Sequence, residues 1–403
     1  MWPRARRASA PSSRPPTNRI TWTKPWPPLP RSEPSSAFCT RPSRRSSTNT
    51  VYDAGRDRPV TLSEKIGQLL LIGFRGLAAD DHSPIVQDIL AGRIGGIVLF
   101  DRDLALKSDR RNILSPRQLK ELISSLQAAA AIPLLVAVDQ EGGQVARLKE
   151  KCGFPATISA QSLGDLDDPG ETRRQAEKIA RVLAEAGINL NFAPLVDLNV
   201  NPTNPIIGRY QRSFSADPYT VTRHALAVIE AQSEYGVISC LKHFPGHGSS
   251  RQDSHFGFTD VSATWKALEL EPYRELISRG RAEAVMTAHI FNHGLDPEFP
   301  ATLSRKTITG LLRQELGFAG LVISDDMDMK AISAEYSRET ALELALEAGN
   351  DIILIANNLS YDESIATRTR DIILSLIASG RVSEARVDDA CRRVLKLKKA
   401  SAP

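Results

Sequence analysis

Short apolar segments alternate with amphipathic segments along this chain from about residue 60 onward. Eight of the apolar segments have the length of buried strands, and they are Leu69–Phe74, Gly95–Phe100, Leu134–Asp139, Leu190–Leu195, Val237–Phe244, Ala284–Ile290, Leu321–Asp325 and Ile352–Ala356. Apolar residues follow one another within these segments, as they do in parallel strands that are covered on both faces. Eight strand–helix units predict an α/β protein, a (β/α)8 TIM barrel that forms a single domain.

Segments that separate nearly all of these strands, and two that follow the last one, have the spacing of helices that bury one face. They are Pro116–Ala130, Glu171–Ala186, Pro218–Tyr235, Ala263–Arg279, Ser304–Leu316, Arg338–Glu347, Glu363–Ala378 and Ser383–Lys398. An open doubly wound sheet is the main alternative, but such a sheet usually has fewer strands and a glycine-rich first turn. Because the sequence contains neither a GxGxxG nor a Walker segment, the barrel is the better interpretation.

Ionisable residues follow several of the predicted strands directly. They are Asp139 and Glu141 after the third strand, Lys242 and His243 at the end of the fifth, His289 at the end of the sixth and Asp325 at the end of the seventh. The carboxyl ends of the strands form one face of a barrel, and the active sites of barrel enzymes lie on that face. The sequence therefore predicts a catalytic domain with its active site at the carboxyl face.

The first 58 residues differ in composition from the rest of the chain. They contain twelve Lys and Arg residues against three acidic ones, whereas the remainder contains 39 basic and 44 acidic residues. Proline, serine and arginine are frequent in this extension and neither a helical nor a strand period is present, which predicts disorder. We therefore predict a disordered basic extension over 1–58 and the barrel domain over 59–403. A translation start assigned too far upstream is an alternative to a real extension.

The segment LKHFPGHGSSRQDSH, from Leu241 to His255, concentrates titratable side chains directly after a predicted strand. Pro245 and two glycines keep it from forming a helix, so the histidines of HFPGH do not share a helical face, and no metal site is predicted. Asp253 and His255 lie two residues apart and therefore on one side of an extended loop. A carboxylate bonded to one imidazole nitrogen raises the basicity of the other, which suits a general acid/base; a solvated polar loop is the alternative.

Charged residues at other strand ends are candidates for catalysis and for ligand binding. Asp325 is either a nucleophile or electrostatic stabiliser, or else the N-cap of a following helix. Asp139 and Arg147 suit the binding of sugar hydroxyls, although a structural ion pair would place them equally well. Arg212 lies in a long loop after the fourth strand, and long loops at this face are usually functional.

Seven segments of the sequence resemble those of glycoside hydrolase family 3, in the order in which that family has them. They are EKIGQ from Glu64, DQEGGQVARL from Asp139, RSFSADP from Arg212, KHFPGHG from Lys242, DSH from Asp253, PATLS from Pro300 and GLVISDDMDM from Gly320. The resemblance covers roughly residues 61–400 and is greatest to the single-domain β-N-acetylglucosaminidases of the bacterial NagZ type. KHFPGHG followed by DSH is a highly specific combination.

This resemblance implies a retaining mechanism with a covalent glycosyl-enzyme. Asp325 matches the nucleophile of the family, and Asp253 and His255 match the dyad that acts as general acid/base. The positions that hold the sugar hydroxyls and the N-acetyl group are matched by Asp139, Arg147, Arg212, Lys242 and His243. The implied reaction is the removal of terminal β-linked N-acetylglucosamine (GlcNAc) from muropeptides or chitooligosaccharides.

Three other functions stay open at this stage. The glycosyl-enzyme could pass its sugar to phosphate, because a histidine acid/base repels phosphate less than a carboxylate does. A β-glucosidase of the same family takes its acid/base glutamate from a second domain, and we expect no such domain here. A barrel that only binds sugar is the third, although it would not need both Asp325 and the Asp253–His255 pair.

We predict a small carbohydrate as the ligand, no cofactor, no metal ion, and no nucleic-acid or membrane partner. The excess positive charge resides in residues 1–58, so nucleic-acid binding would depend on that extension alone. No apolar segment is long enough to cross a membrane, and no apolar signal-peptide core follows the start. The protein is therefore expected to be cytoplasmic, and we also expect a monomer.

Overall fold

The computed structural model describes residues 51–53 and 58–400, and its centre is a sheet of eight parallel strands. In chain order the strands are β1 (Leu70–Gly73), β2 (Gly96–Val98), β3 (Leu135–Val138), β4 (Leu190–Asn191), β5 (Ile238–Phe244), β6 (Ala284–Thr287), β7 (Leu321–Ser324) and β8 (Ile353–Ile355). Successive strands pair with each other, and β8 pairs with β1. A parallel bridge between Ile323 and Ile352 joins β7 to the start of β8 and closes the sheet. The predicted (β/α)8 barrel is confirmed.

Helices connect the strands on the outside of the barrel. The α-helices of the described residues are α1 (Leu62–Gln68), α2 (Pro84–Leu90), α3 (Pro116–Ala129), α4 (Ala160–Leu166), α5 (Pro169–Ala186), α6 (Pro218–Glu234), α7 (Glu271–Ser278), α8 (Lys330–Ser333), α9 (Arg338–Ala348), α10 (Ile365–Ala378) and α11 (Glu384–Ala400). The predicted helix between β6 and β7 is a π-helix over Lys306–Glu315. A 3₁₀ turn over Ala267–Leu270 precedes α7. Helices α1, α2, α4 and α8 were not predicted, because segments this short carry no clear helical period.

Local signals determine where several helices begin and end. The Thr61 side chain accepts a hydrogen bond from the Glu64 N–H, while the Glu64 carboxylate accepts the Thr61 N–H, which is a capping box before α1. Ser115 and Asp217 accept backbone N–H bonds in the same way before α3 and α6. Helix α5 is capped at its C-terminal end by Gly187, whose φ of 87° is readily adopted by glycine. After Gly187 the chain returns to the amino end of β4, which begins at Leu190.

Apolar side chains fill the inside of the barrel. The interior cluster contains Leu71, Val98, Leu135, Ile238 and Met286, whereas their neighbours in the strands pack against the helices. This arrangement follows from the alternation of side chains between the two faces of a strand. Because the interior is closed by apolar packing, ionisable side chains are confined to the ends of the barrel.

Helix α11 packs against the amino ends of the strands. Its Val394 belongs to the interior cluster, and Leu397 packs against that cluster. The buried Nζ of Lys398 donates to Oε1 of Gln68 at 2.6 Å and to the carbonyl of Gly95 at 2.7 Å, just before β1 and β2 begin. One end of the barrel is thereby covered, and the carboxyl end is left for a site.

Two short strands precede the barrel. Tyr52–Asp53 pairs with Arg58–Pro59 in antiparallel fashion, and the flanking Val51 and Val60 are buried in the core that surrounds the barrel. Most of the extension predicted over residues 1–58 lies outside the described residues. Among the residues that the structure describes, no helix is long and apolar enough to cross a membrane.

Candidate active site

The carboxyl ends of β3, β5 and β7 bring predicted site residues to one face. Asp139 directly follows β3, and Asp325 directly follows β7. Lys242 and His243 are the two residues before the last residue of β5. Nζ of Lys242 lies 2.7 Å from Oδ1 of Asp139, although 103 positions separate the two residues in the chain. Side chains from distant segments thus meet at the face where the barrel fold predicts an active site.

Two carboxylates and three cations form one ion-pair network at this face. Nζ of Lys242 lies 2.7 Å from Asp139 and 2.6 Å from Glu141. Arg147 donates to the other oxygen of Asp139 at 3.1 Å. Arg212 donates to both oxygens of Glu141, at 2.9 and 2.6 Å. Because a bidentate arginine–carboxylate pair is directional, Arg212 is held in one orientation. Glu141 was noted at a strand end but not predicted as a binding residue.

The network keeps its buried members charged. Burial alone would raise the pKa of Asp139, but Lys242 and Arg147 outweigh it and hold that pKa below its usual value. Burial opposes the charge of Lys242, yet the two carboxylates raise the pKa of this lysine above its usual value. The pKa of Arg212 is raised in the same way, because Glu141 outweighs the effect of burial. Charged groups in fixed positions make strong hydrogen bonds to hydroxyls.

Asp197, which was not predicted as a site residue, holds both histidines of the HFPGH segment. Its carboxylate accepts hydrogen bonds from Nδ1 of His243 and from the backbone N–H of His247, each at 2.7 Å. Burial opposes the charge of Asp197, but the two histidines lower its pKa below the usual value. The bond to Nδ1 fixes the ring of His243 and its tautomer. Asp197 lies two residues after the predicted strand Leu190–Leu195, so its place after a strand was the available signal.

Asp325 occupies the first position after β7, with the Asp326 backbone N–H donating to its Oδ1 at 2.8 Å. Burial alone would raise the pKa of Asp325, but three histidines and that N–H bond hold it below its usual value. The histidines are His289, His243 and His255. Asp325 is therefore a carboxylate at neutral pH, which is the form that a nucleophile requires.

Asp326 has a structural role at the end of β7, since its carboxylate and its carbonyl both accept hydrogen bonds from neighbouring strand ends. Its carboxylate accepts the backbone N–H of Ala356 at 2.8 Å and that of Asp328 at 3.1 Å. Its carbonyl lies 2.9 Å from Nε2 of His289, which donates to it. Burial and the neighbouring Asp328 raise the pKa of Asp326. Asp326 thus ties the ends of β6, β7 and β8 together around Asp325.

Asp253 and His255 form the predicted hydrogen-bonded pair. Nδ1 of His255 donates to Oδ1 of Asp253 at 2.7 Å, and the backbone N–H of His255 donates to the same oxygen at 2.9 Å. The His255 side chain is 50% exposed, so its ring is accessible to a ligand. Burial lowers the pKa of His255, but the bond to Asp253 and the charge of Asp325 outweigh it and raise that pKa. His255 can therefore carry a proton near neutral pH.

Buried contacts anchor the loop that carries this pair. Where the loop begins, the backbone N–H groups of Gly248 and Ser249 donate to one oxygen of the buried Glu269, at 3.0 and 3.3 Å. Where it ends, the carbonyl of the buried Ser254 accepts the N–H of Ala331 at 3.3 Å. The second contact links the loop to the segment that follows β7, which is the segment that carries Asp325.

The part of the chain that the structure describes contains no group of three or more side chains that could hold a metal ion. His243 and His247 both bond to Asp197, and their rings meet edge to face with centroids 5.8 Å apart. The arrangement is one of carboxylates, imidazoles and cations suited to proton transfer and hydroxyl binding.

The sequence matches the glycosyl hydrolase family 3 N terminal domain over residues 61–397. The chain belongs to glycosyl hydrolase family 3. The matched range contains every residue of the site, from Asp139 to Ala331. The family predicted from the KHFPGHG and DSH segments is therefore confirmed.

Bacterial relatives of this family-3 chain are named beta-hexosaminidases. Beta-hexosaminidase A of Pseudoalteromonas piscicida is 32% identical over 377 residues, covering 84% of this chain and 61% of that protein. Beta-hexosaminidase of Stenotrophomonas maltophilia strain K279a is 34% identical over 353 residues, covering 81% of this chain and 98% of that protein. The chain thus spans about three fifths of one relative and nearly all of the other.

Solved family-3 structures have the same fold. A glycoside hydrolase family 3 β-N-acetylglucosaminidase from Paenibacillus sp. str. FPU-7 superposes with a TM-score of 0.76 at 38% identity, covering 85% of this chain and 63% of that one. A β-N-acetylhexosaminidase from Beutenbergia cavernae superposes with a TM-score of 0.75 at 32% identity, covering 84% of this chain and 99% of that one. The barrel is therefore the fold that these family-3 structures share.

Proposed function

We propose that this family-3 chain is a retaining exo-β-N-acetylglucosaminidase that removes terminal β-linked GlcNAc from a glycan. The observation that carries the proposal is the hydrogen-bonded Asp253–His255 pair, whose loop is tied to the segment that bears Asp325. The pair supplies a proton donor and Asp325 supplies a carboxylate, which are the two groups that a retaining glycosidase needs. The names of the relatives support GlcNAc as the sugar.

In the first step, the Asp325 carboxylate attacks the anomeric carbon while the bond from that carbon to the glycosidic oxygen breaks. The departing oxygen takes a proton from Nε2 of the His255 imidazolium, so the remainder of the glycan leaves as a neutral alcohol. Asp325 loses its negative charge in the ester, and His255 loses its positive charge together with the proton. The two losses balance, so no net charge develops in the cleft.

In the second step, a water molecule attacks the same carbon and the ester bond to Asp325 breaks. The neutral His255 takes a proton from the water, and its bond to Asp253 makes it the stronger base. The Asp325 carboxylate and the His255 imidazolium are thereby restored. Two displacements at one carbon leave GlcNAc with its original β configuration.

The ion-pair network binds the sugar in this proposal. Asp139 and Arg147 are partly exposed, so their oxygen and nitrogen atoms are available to hydroxyls of a ligand. Lys242 is almost fully buried and holds Asp139 in place through its ion pair. Arg212 and His243 are the other members of the predicted binding set. A fixed charged acceptor beside fixed donors distinguishes hydroxyls by their position on the ring.

The source of the glycan, muropeptide or chitooligosaccharide, is part of the proposal that rests on the sequence resemblance. A monomeric state and a cytoplasmic location are further parts of the proposal.

The test is release of p-nitrophenol from its β-N-acetylglucosaminide and its β-glucoside, with and without phosphate. We expect preference for the N-acetyl substrate and a loss of roughly 10³-fold or more in kcat for Asp325→Asn. Asp371→Asn, an exposed aspartate on α10, is the matched control and should behave as wild type. Phosphate-dependent formation of a sugar 1-phosphate would show that the enzyme is a phosphorylase and not a hydrolase. Absence of turnover by the folded wild type would contradict the proposal.

A further inference from the structure

Phe256 is the most exposed of the large apolar side chains in the described residues, at 78%. It directly follows His255 and lies in a turn in which its backbone N–H donates to the carbonyl of Asp253 at 3.1 Å. Leaving so much of a phenyl ring in water forgoes the gain that burial would give. Single exposed apolar side chains are common on protein surfaces, so the position of Phe256 directly after His255 is what distinguishes it.

Buried contacts before the turn hold it in place. Ser254, two residues ahead of Phe256, is buried with its Oγ 3.3 Å from Nε2 of His247. The carbonyl of Ser254 accepts the N–H of Ala331, in the segment after β7. The backbone that leads into Phe256 is therefore attached to two elements of the barrel.

Contacts after the turn hold it equally well. The ring of Phe258 packs against that of Phe291, with centroids 5.4 Å apart. The carbonyl of Thr259 accepts the N–H of Phe291 at 2.8 Å, and Val261 donates to the carbonyl of Phe291 at 2.9 Å. Because the chain is fixed on both sides, the outward position of Phe256 is a property of the turn and not of a free end.

The proposed reaction determines what Phe256 can meet. The glycosidic oxygen must come within hydrogen-bonding distance of His255 for protonation. The leaving group is attached to that oxygen, so its first ring lies within a few ångströms of the same histidine. The GlcNAc that is removed occupies the other side, toward Asp139 and Asp325. Because neighbouring Cα atoms lie about 3.8 Å apart, the ring of Phe256 is within reach of a leaving group held at His255.

We propose that Phe256 forms a stacking platform for a pyranose ring in the leaving group, which makes it a specificity-determining residue. The inference rests on the proposed function and extends it from the removed sugar to its neighbour. The apolar C–H face of a pyranose suits an aromatic ring, whereas a small alkyl leaving group gains nothing from it. Both a second GlcNAc and the muramic acid of a muropeptide have such a ring, so the shared chemistry is the pyranose.

The experiment compares two leaving groups that both require a proton from His255. N,N′-diacetylchitobiose loses a pyranose, and methyl N-acetyl-β-glucosaminide loses methanol. For Phe256→Ala we expect kcat/KM on chitobiose to fall about tenfold and kcat/KM on the methyl glycoside to change less than about twofold. Phe256→Trp should retain activity on chitobiose. Tyr235→Ala, a partly exposed aromatic residue just after α6, is the control and should change neither value.

Each result supports or overturns the inference. Equal losses of kcat/KM on both substrates would mean that Phe256 acts through His255. An unchanged kcat/KM on chitobiose would mean that the ring makes no contact with the leaving group. Either result overturns the inference. A wild type that hydrolyses neither substrate overturns the proposed function together with this inference. GlcNAc linked to muramic acid, assayed beside chitobiose, identifies the source of the pyranose, because the natural leaving group should show the larger loss in Phe256→Ala.

Discussion

The Asp197 carboxylate accepts a hydrogen bond of 2.7 Å from Nδ1 of His243. Both residues are buried, so this bond is not exchanged for bonds to water. The bond thereby fixes the orientation of the imidazole ring and the direction of its second nitrogen. Because His243 is predicted to bind the sugar, Asp197 acts on the ligand through the orientation of that ring.

Asp197→Asn should weaken substrate binding more than the chemical step. The amide replaces a charged acceptor with a neutral one, and a hydrogen bond to a charged group contributes about 1.5–3 kcal/mol to stability. We expect a lower free energy of unfolding by that amount, a raised KM and a smaller change in kcat. Steady-state kinetics and urea unfolding measure these quantities. An unchanged KM in a folded variant would contradict the proposed role of Asp197.

Asp253→Asn should change the pH dependence of the reaction. Asp253 stabilises the imidazolium of His255 and so helps to raise its pKa. Removing the negative charge lowers that pKa, and the protonated form needed in the first step is lost at a lower pH. The alkaline limb of kcat/KM against pH is therefore expected to move to lower pH, with a loss of about 10²-fold at the optimum.

A pH profile of wild type and Asp253→Asn on the methyl glycoside measures this shift, because methanol is a poor leaving group and depends on the acid. Movement of the limb to higher pH would show that Asp253 does not stabilise the imidazolium.

Glu141→Gln should destabilise the protein as well as the site. The change leaves Arg212 without its bidentate carboxylate, and breaking a buried ion pair costs about 3–5 kcal/mol. Thermal unfolding followed by circular dichroism measures the loss. Glu121→Gln removes the exposed partner of Arg117 in α3 and should cost less than about 1 kcal/mol. Equal effects of the two substitutions would rule out a special contribution of the buried network.

Lys398→Met should alter how stability depends on pH. Burial lowers the pKa of Lys398 to about 7 from an unfolded value near 10.5, so the unfolded state binds more protons between these values. The wild type therefore becomes more stable as the pH rises from 7 toward 10, by about 2–3 kcal/mol between pH 6 and 9. The variant should lack this contribution.

Urea unfolding of wild type and Lys398→Met at pH 6 and pH 9 provides the comparison. Lys399→Met, on an exposed position of the same helix, should retain the wild-type pH dependence. The same slope in wild type and Lys398→Met would mean that the buried lysine does not titrate in this range.

The strands were predictable because their apolar runs are continuous, and each predicted strand overlaps an observed one. The boundary of β4 differs most from the prediction. The predicted strand was Leu190–Leu195, whereas the observed strand ends at Asn191. Pro194 has no N–H to donate to a neighbouring strand, and pairing resumes only as a single bridge between Leu195 and Lys242. The chain continues in the same direction, but its regular pairing is interrupted.

The candidate site was predictable where chemistry coincided with strand ends or with family segments. Asp325 and Asp139 carry both signals and directly follow β7 and β3, whereas the Asp253–His255 pair lies in a loop and carries only the family segment. Asp197 follows a strand but stands outside the quoted segments. Phe256 carries neither signal, because exposure of an aromatic ring is a property of the surrounding contacts and cannot be obtained from the residue type.

The sequence by itself determined the eight strand–helix units, the family and the segments that bear the reactive groups, since these depend on periodicity and on local residue order. The tertiary structure decided which charges meet, such as Lys242 with Glu141 and Asp139, and which groups are withdrawn from water, such as Asp197. Closure of the barrel brings together strand ends that are far apart in the chain. Burial then strengthens each electrostatic contact, and neither closure nor burial is a property of any single segment.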